Sequence, residues 1–127
     1  VKAGKDFVTN SNETIQNSLL TLDPEASLSY AFCSDTSYKP DIIEIIGEAN
    51  LLSHEAPFLS DKEDLAKKTR HSTARQAALI AKKANVEKLI IGHYSSRYKD
   101  ISLFKKEAEE IFNTVILAEA GKVISIK

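Results

Sequence analysis

The sequence is poor in the residues that staple, bend or break a chain. Among its 127 residues there are one cysteine, no methionine, no tryptophan, four glycines and three prolines. A lone Cys33 excludes an intrachain disulfide and any paired-thiolate metal site, and it points to a reducing, cytoplasmic setting. The glycines are scattered, so no glycine-rich loop can cradle a phosphate. No apolar run approaches the roughly 18 residues of a membrane helix, and the first residues have no signal-peptide pattern; no membrane is expected. Neither sign of charge dominates: 17 basic and 18 acidic residues give −1, without the basic excess common in nucleic-acid binders, although a local basic patch is compatible with neutrality. HxH pairs, HExxH and the GxSxG elbow are also missing. A chain that begins at Val1 and holds no methionine is expected to be a piece of a longer one.

What is present is an alternation of short apolar runs and helical patterns from Leu28 onward. "LSYAFC", "NLLSHE" and "KLIIGH" read as strands. "KPDIIEIIGEA" places Ile42, Ile45, Ile46 and Ala49 at helical spacing, with Pro40 in a first turn. "DKEDLAKKT" reads as a short exposed helix or lid. The strongest helix is "STARQAALIAKKANV", whose alanines form a small apolar face and whose Thr73 and Gln76 fit a capping box. "ISLFKKEAEEIF" is helical, and "TVILA" and "KVISI" close the chain as a hairpin or two late strands. This order specifies an α/β fold, a sheet covered by helices. Residues 1–27 are polar and turn-rich, with at most two weak strands, near Phe7 and Leu19-Leu20. They form an approach segment to a domain over 28–127.

The chain has three histidines. His54 and His93 come at the C-terminal ends of expected strands, and Asp35 follows another in the same way. His71 stands just before the alanine-rich helix. Parallel strands joined by crossovers return their C-terminal ends to one edge of the sheet, where ligands bind in open α/β folds. Asp35, His54, Glu55, His71 and His93 are therefore expected to converge. Each also has a structural reading: Asp35 as a turn former, His54 as a core histidine, His71 as a helix-entry residue, His93 as a strand end. Carboxylate and imidazole together are ligands for zinc, manganese or iron, but two ligands do not complete a site.

The motifs "YAFCSDTS", "LLSHEAPF", "KTRHSTARQAALIAKKANVEKLIIGHYSSRY" and "AEAGKVISI", in that order, resemble the C-terminal part of ribonuclease Z. That family comprises tRNA 3′-processing endoribonucleases of the metallo-β-lactamase fold. The resemblance implies the C-terminal half of an αββα sandwich, with a mixed sheet covered by helices. It implies a phosphodiesterase that uses two zinc ions, with Asp35 bridging them and His93 ligating one. It makes His71 the catalytic imidazole and Glu55 its support, leaving His54 structural or one step behind the site. Pro57 stands where the family's HEAT motif has threonine. Arg97 is a candidate phosphate contact, or else a surface ion-pairing residue. Precursor tRNA is the implied substrate and a homodimer the implied assembly of the whole protein. The family's HxHxDH motif and a further histidine ligand are not in this chain, so by itself it is expected to be inactive, with an exposed inner sheet face that favours self-association or domain swapping. Two other readings stay open: a non-catalytic α/β interaction module that keeps the motifs, and another hydrolase of the same fold.

Overall fold

Three of the apolar runs expected as strands, and the first of the two closing ones, pair into one sheet. A computed structural model describes residues 1–127. In chain order the elements are β1 (Phe7–Val8), β2 (Thr14–Ile15), α1 (Asn17–Leu20), β3 (Tyr30–Cys33), α2 (Ile43–Ile46), β4 (Leu51–Glu55), α3 (Glu63–Thr69), α4 (Ala74–Lys83), β5 (Lys88–Gly92), α5 (Ser102–Glu109) and β6 (Val115–Leu117). Single 3-10 turns, Pro40–Ile42 and Ser60–Lys62, lead into α2 and α3.

The main sheet has the order β3-β4-β5-β6, and all three pairings are parallel. Each connection between its strands carries a helix, and such crossovers are what parallel pairing requires. Antiparallel pairing is confined to the separate β1–β2 ribbon. The two strand directions thus lie in different sheets, rather than mixed in one.

Alternation along the strands decides what each face carries. Ala31, Leu52, Leu89, Ile91, Val115 and Leu117 share one face and pack with Ala77, Ala78 and Ala81 of α4 and Phe104 and Ala108 of α5. The alanines let α4 approach the sheet closely, while the fully buried Phe104 fills the space beneath α5. The opposite face has no helix. There Tyr30 and Phe32 are 52% and 68% exposed, as expected for a sheet without its facing layer. Helix α4 begins with the expected capping box: Thr73 Oγ1 accepts from Gln76 N at 3.2 Å, and Thr73 N donates to Gln76 Oε1 at 3.0 Å.

Three local expectations are corrected. Leu19-Leu20 belong to α1 rather than a strand, because Asn17 is pinned from outside: its N–H donates to Asp6 Oδ1, and its side-chain amide donates to the carbonyls of Val1 and Lys5. "KVISI" forms no strand; Lys88 Nζ instead gathers the carbonyls of Ser125, Ile126 and Lys127 at 3.0–3.3 Å. The helical stretch after Pro40 stops at Ile46, where Gly47 turns the backbone to φ 21°, and it leaves Ile45 exposed rather than on the core face.

Candidate metal centre

Asp35, Glu55, His71 and His93 come together at the C-terminal edge of the sheet, with one ligand-type atom of each within 4.8 Å of all the others. Asp35 lies two residues beyond β3, Glu55 ends β4, and His93 follows β5. His71 arrives from the loop before α4, held by the Phe58–Thr73 bridge. Three of these arrivals use left-handed backbone. Asp35 has φ 48°, His93 φ 65°, and Arg70, just before His71, φ 61°. Non-glycine residues adopt this conformation at a cost of about 1–2 kcal/mol, which the surrounding packing must offset.

Glu55 organises the cluster. It is 3% exposed, and its carboxylate is saturated. His71 Nδ1 lies 3.0 and 2.9 Å from its two oxygens, His93 Nδ1 lies 2.8 Å from Oε2, and the Thr36 N–H donates to Oε1 at 3.0 Å. Both imidazoles therefore direct Nδ1 at one buried carboxylate, leaving Nε2 of each without a hydrogen bond. The rings stand edge to face, with centroids 5.3 Å apart. A second latch joins the same loops: Ser72 Oγ, fully buried, donates to the Thr36 carbonyl at 2.7 Å. Sequence reasoning paired Glu55 with His71 but missed its hold on His93 and the parts played by Thr36 and Ser72. Only the adjacency of Thr36 to Asp35 and of Ser72 to His71 could have pointed to them.

His54 does not join the cluster. It follows the strand alternation to the helix-covered face, 1% exposed, with Nδ1 2.7 Å from the Glu55 carbonyl and Nε2 unpartnered. Burial pushes its pKa down, against smaller upward contributions from the Glu55 carbonyl and carboxylate, so the ring is held neutral. Cys33 also faces the core, and burial pushes its thiol pKa up, which disfavours the thiolate a nucleophile needs. Arg97 is exposed in the turn after β5, where Nη1 donates to Ser95 Oγ at 3.3 Å, and it is not part of the cluster.

The donor set suits a divalent ion of the zinc, manganese or iron kind. A ligating histidine ordinarily donates its other ring N–H to a carboxylate, which fixes the ring; Glu55 stands in that relation to His93. The exposed Asp35 carboxylate and the free His93 Nε2 are then the donors that fit an ion. The cluster lies between two clefts. One, of about 280 Å³, is bordered by His71, and the other, of about 230 Å³, by Glu55 and His93 on the uncovered sheet face.

This architecture, with ligand-type residues at the strand ends, is that of the metallo-β-lactamase fold. A protein of that fold from Bacillus subtilis, YhfI, superposes with a TM-score of 0.73 at 27% identity, covering 78% of this chain and 40% of its own. The short form of human tRNase Z is 35% identical with a TM-score of 0.53, covering 67% of this chain and 27% of its own. No family profile matches the chain. Ribonuclease Z of Parabacteroides distasonis is 52% identical over 126 residues, 99% of this chain, and that of Bacteroides thetaiotaomicron is 46% identical over the same length. Along 99% of its length, then, the chain matches proteins named ribonuclease Z. It spans 41% and 40% of the length of those two relatives, and the alignment takes in the polar leading segment as well.

Proposed function

We propose that this chain is the C-terminal half of a metal-dependent endoribonuclease that removes the 3′ trailer from precursor tRNA. The observation that carries the reading is the pair of imidazoles on one buried carboxylate beside Asp35, in a chain about half identical to ribonuclease Z. Residues 1–27 form the approach to the half-domain over 28–127. Asp35 and His93 Nε2 hold metal, and the remaining ligands come from the rest of the polypeptide. Two zinc ions, when bound, lower the pKa of water and offset phosphate charge.

The chain's own residues then have separate tasks. Glu55 fixes both rings, with its carboxylate 2.9 Å from His71 Nδ1 and 2.8 Å from His93 Nδ1. A protonated His71, its Nε2–H pointing away from Glu55, gives that proton to the oxygen leaving phosphorus as the P–O bond breaks and the electron pair passes to that oxygen. A water supplies the oxygen of the new P–O bond and gives up its proton to solvent. The whole protein acts on cytoplasmic precursor tRNA as a homodimer, with Arg97 on a substrate phosphate. The isolated 127 residues, with two of the ligands, are inactive and self-associate through the bare sheet face.

A second reading, another hydrolase of the same fold, draws support from the similarity to YhfI over 78% of the chain. One experiment separates the two. The whole protein should cut a tRNA bearing a 3′ trailer at a single position, with activity lost to a chelator and restored by zinc, while the isolated chain shows none. Intact precursor alongside hydrolysis of a different phosphodiester or ester would favour the second reading.

A further inference from the structure

The cleft bordered by His71 but not by His93 is polar and largely uncommitted. Ser37, Tyr38, Glu63, Lys67 and Gln76 line it together with His71, enclosing about 280 Å³. That is near the lower bound of small-molecule sites, roughly 300 Å³, and suits one compact group rather than a chain segment. Its walls come from three places: the loop after Asp35, helix α3 and the first turn of α4. Glu63 and Gln76 are held to each other, with Gln76 Nε2 donating to Glu63 Oε1 at 3.3 Å. Tyr38 is fixed by packing on the core and by Lys83 Nζ, which donates to its hydroxyl at 3.3 Å. Lys67 is in no ion pair. Neither are Lys68 and Arg70, so the C-terminal end of α3 presents three unpaired cations immediately before His71. The acidic residues of that segment, Asp61, Glu63 and Asp64, lie at its other end.

Proton donation sets the direction of the substrate. The group that His71 protonates is the oxygen leaving phosphorus, and the nucleoside bearing that oxygen must lie on the His71 side of the phosphate. Neither Asp35 nor His93, the metal-ligand donors, is in the lining of this cleft. We propose that the cleft between Tyr38 and α3 receives the nucleoside that bears the leaving oxygen. The inference rests on the endoribonuclease reading above and names a subsite for it. The Tyr38 ring offers a flat apolar surface to the base, of the kind that contributes about 1–3 kcal/mol per stacked base. The Ser37 hydroxyl and the Glu63 carboxylate can bond the ribose hydroxyl that distinguishes RNA from DNA. Lys67, in the cleft lining, meets the phosphate that joins this nucleoside to the rest of the strand, and Lys68 and Arg70 the phosphates beyond, which orients the strand without reading its sequence.

The test uses the metal-free whole protein, so that binding is read apart from turnover. The probe is the product RNA that carries the freed hydroxyl, compared with the same RNA shortened by that one terminal nucleoside. The wild-type protein should bind the longer RNA about tenfold more tightly, as expected from one stacked base. In Tyr38→Leu and in Lys67→Ala that advantage should fall to threefold or less. Lys67 lies on the exposed side of α3, so its variant keeps the test decisive if Tyr38→Leu does not fold. Equal binding of the two RNAs by the wild type, or a full advantage retained in Lys67→Ala, would overturn the subsite. If the metal-loaded wild type still cuts precursor RNA in either case, only the subsite falls. Failure to cut any RNA would overturn the endoribonuclease reading and the subsite with it.

Discussion

Glu55 and His54 are neighbours in sequence, yet only one of them meets the other site residues. Period-2 alternation in β4 turns His54 into the alanine-lined core and Glu55 to the opposite face at the strand end. The motif "SHEAPF" shows both side chains but not which of them faces His71 and His93. Fixing the face from Leu52, which must point at α4, would have separated them. The convergence of Asp35, Glu55, His71 and His93 was legible from topology alone, since each lies at a strand end or helix start. The sharing of one carboxylate by two imidazoles was not, because it depends on β4 and β5 being neighbours with Glu55 opposite Gly92. Substituting Glu55→Gln in the whole protein keeps the volume but removes the charge that orients both rings. Loss of such a supporting carboxylate typically costs 10–100-fold in metal affinity or activity, or about 1.4–2.7 kcal/mol. Titration of metal content and measurement of kcat/KM should both show losses in that range, whereas wild-type values for both would remove Glu55 from its assigned place.

At the level of elements, helices with strong local signals were readable and tail-dependent segments were not. Helix α4 carries its own start signal in Thr73 and Gln76 and its own alanine face, so sequence sufficed. Helix α1 and the terminal "KVISI" depend on Asn17 and Lys88 reaching backbone carbonyls far away in sequence, which no local pattern encodes. The entry to α3 is held in a comparable way. Tyr98 Oη donates to Asp61 Oδ1 at 2.8 Å and accepts from the Leu59 N–H at 3.1 Å, tying the turn before α3 to the segment after His93. Tyr98→Phe should lower stability by about 0.5–1.5 kcal/mol, the usual net value of a hydrogen bond. Burial is the main cause that raises the Tyr98 pKa above its ordinary 10.0, with the Asp61 carboxylate adding to it and the Leu59 N–H opposing. A raised folded-state value means that the unfolded chain loses the proton first as pH climbs. This contribution is therefore complete below pH 10.0 and lost as pH rises through the folded-state value. Denaturant titrations at neutral and alkaline pH should show the gap between wild type and Tyr98→Phe closing above that point. A gap independent of pH would contradict the assignment.

For the molecule as a whole, the governing fact is a sheet covered on one side. Tyr30 and Phe32 are exposed on the face without a helix, which is covered only in part, since Leu51 and Ile90 on it are buried, and the chain matches about two fifths of its relatives' length. A single facing layer would bury this surface, and without one it is free to pair with a second copy. Sedimentation of the isolated chain at micromolar concentration should show dimers or larger species. Phe32→Lys, which places a charge on the exposed edge strand of that face, should shift them toward monomer; a wild-type chain that stays monomeric would argue against an interface there. The fold class was legible because strands and helices alternate, but the all-parallel sheet was not, since "KVISI" resembles the returning strand of a hairpin.

The central claim is that His71, oriented by Glu55, supplies the proton for phosphodiester cleavage while Asp35 and His93 hold metal. The most direct measurement is single-turnover cleavage of a trailer-bearing precursor tRNA by the whole protein carrying His71→Ala, with its metal content determined on the same sample. The account predicts a fall in rate of about 10²–10⁴-fold, the usual contribution of a positioned acid or base, with metal content unchanged. Cleavage at the wild-type rate would contradict it, and so would a loss of activity that merely tracks a loss of metal.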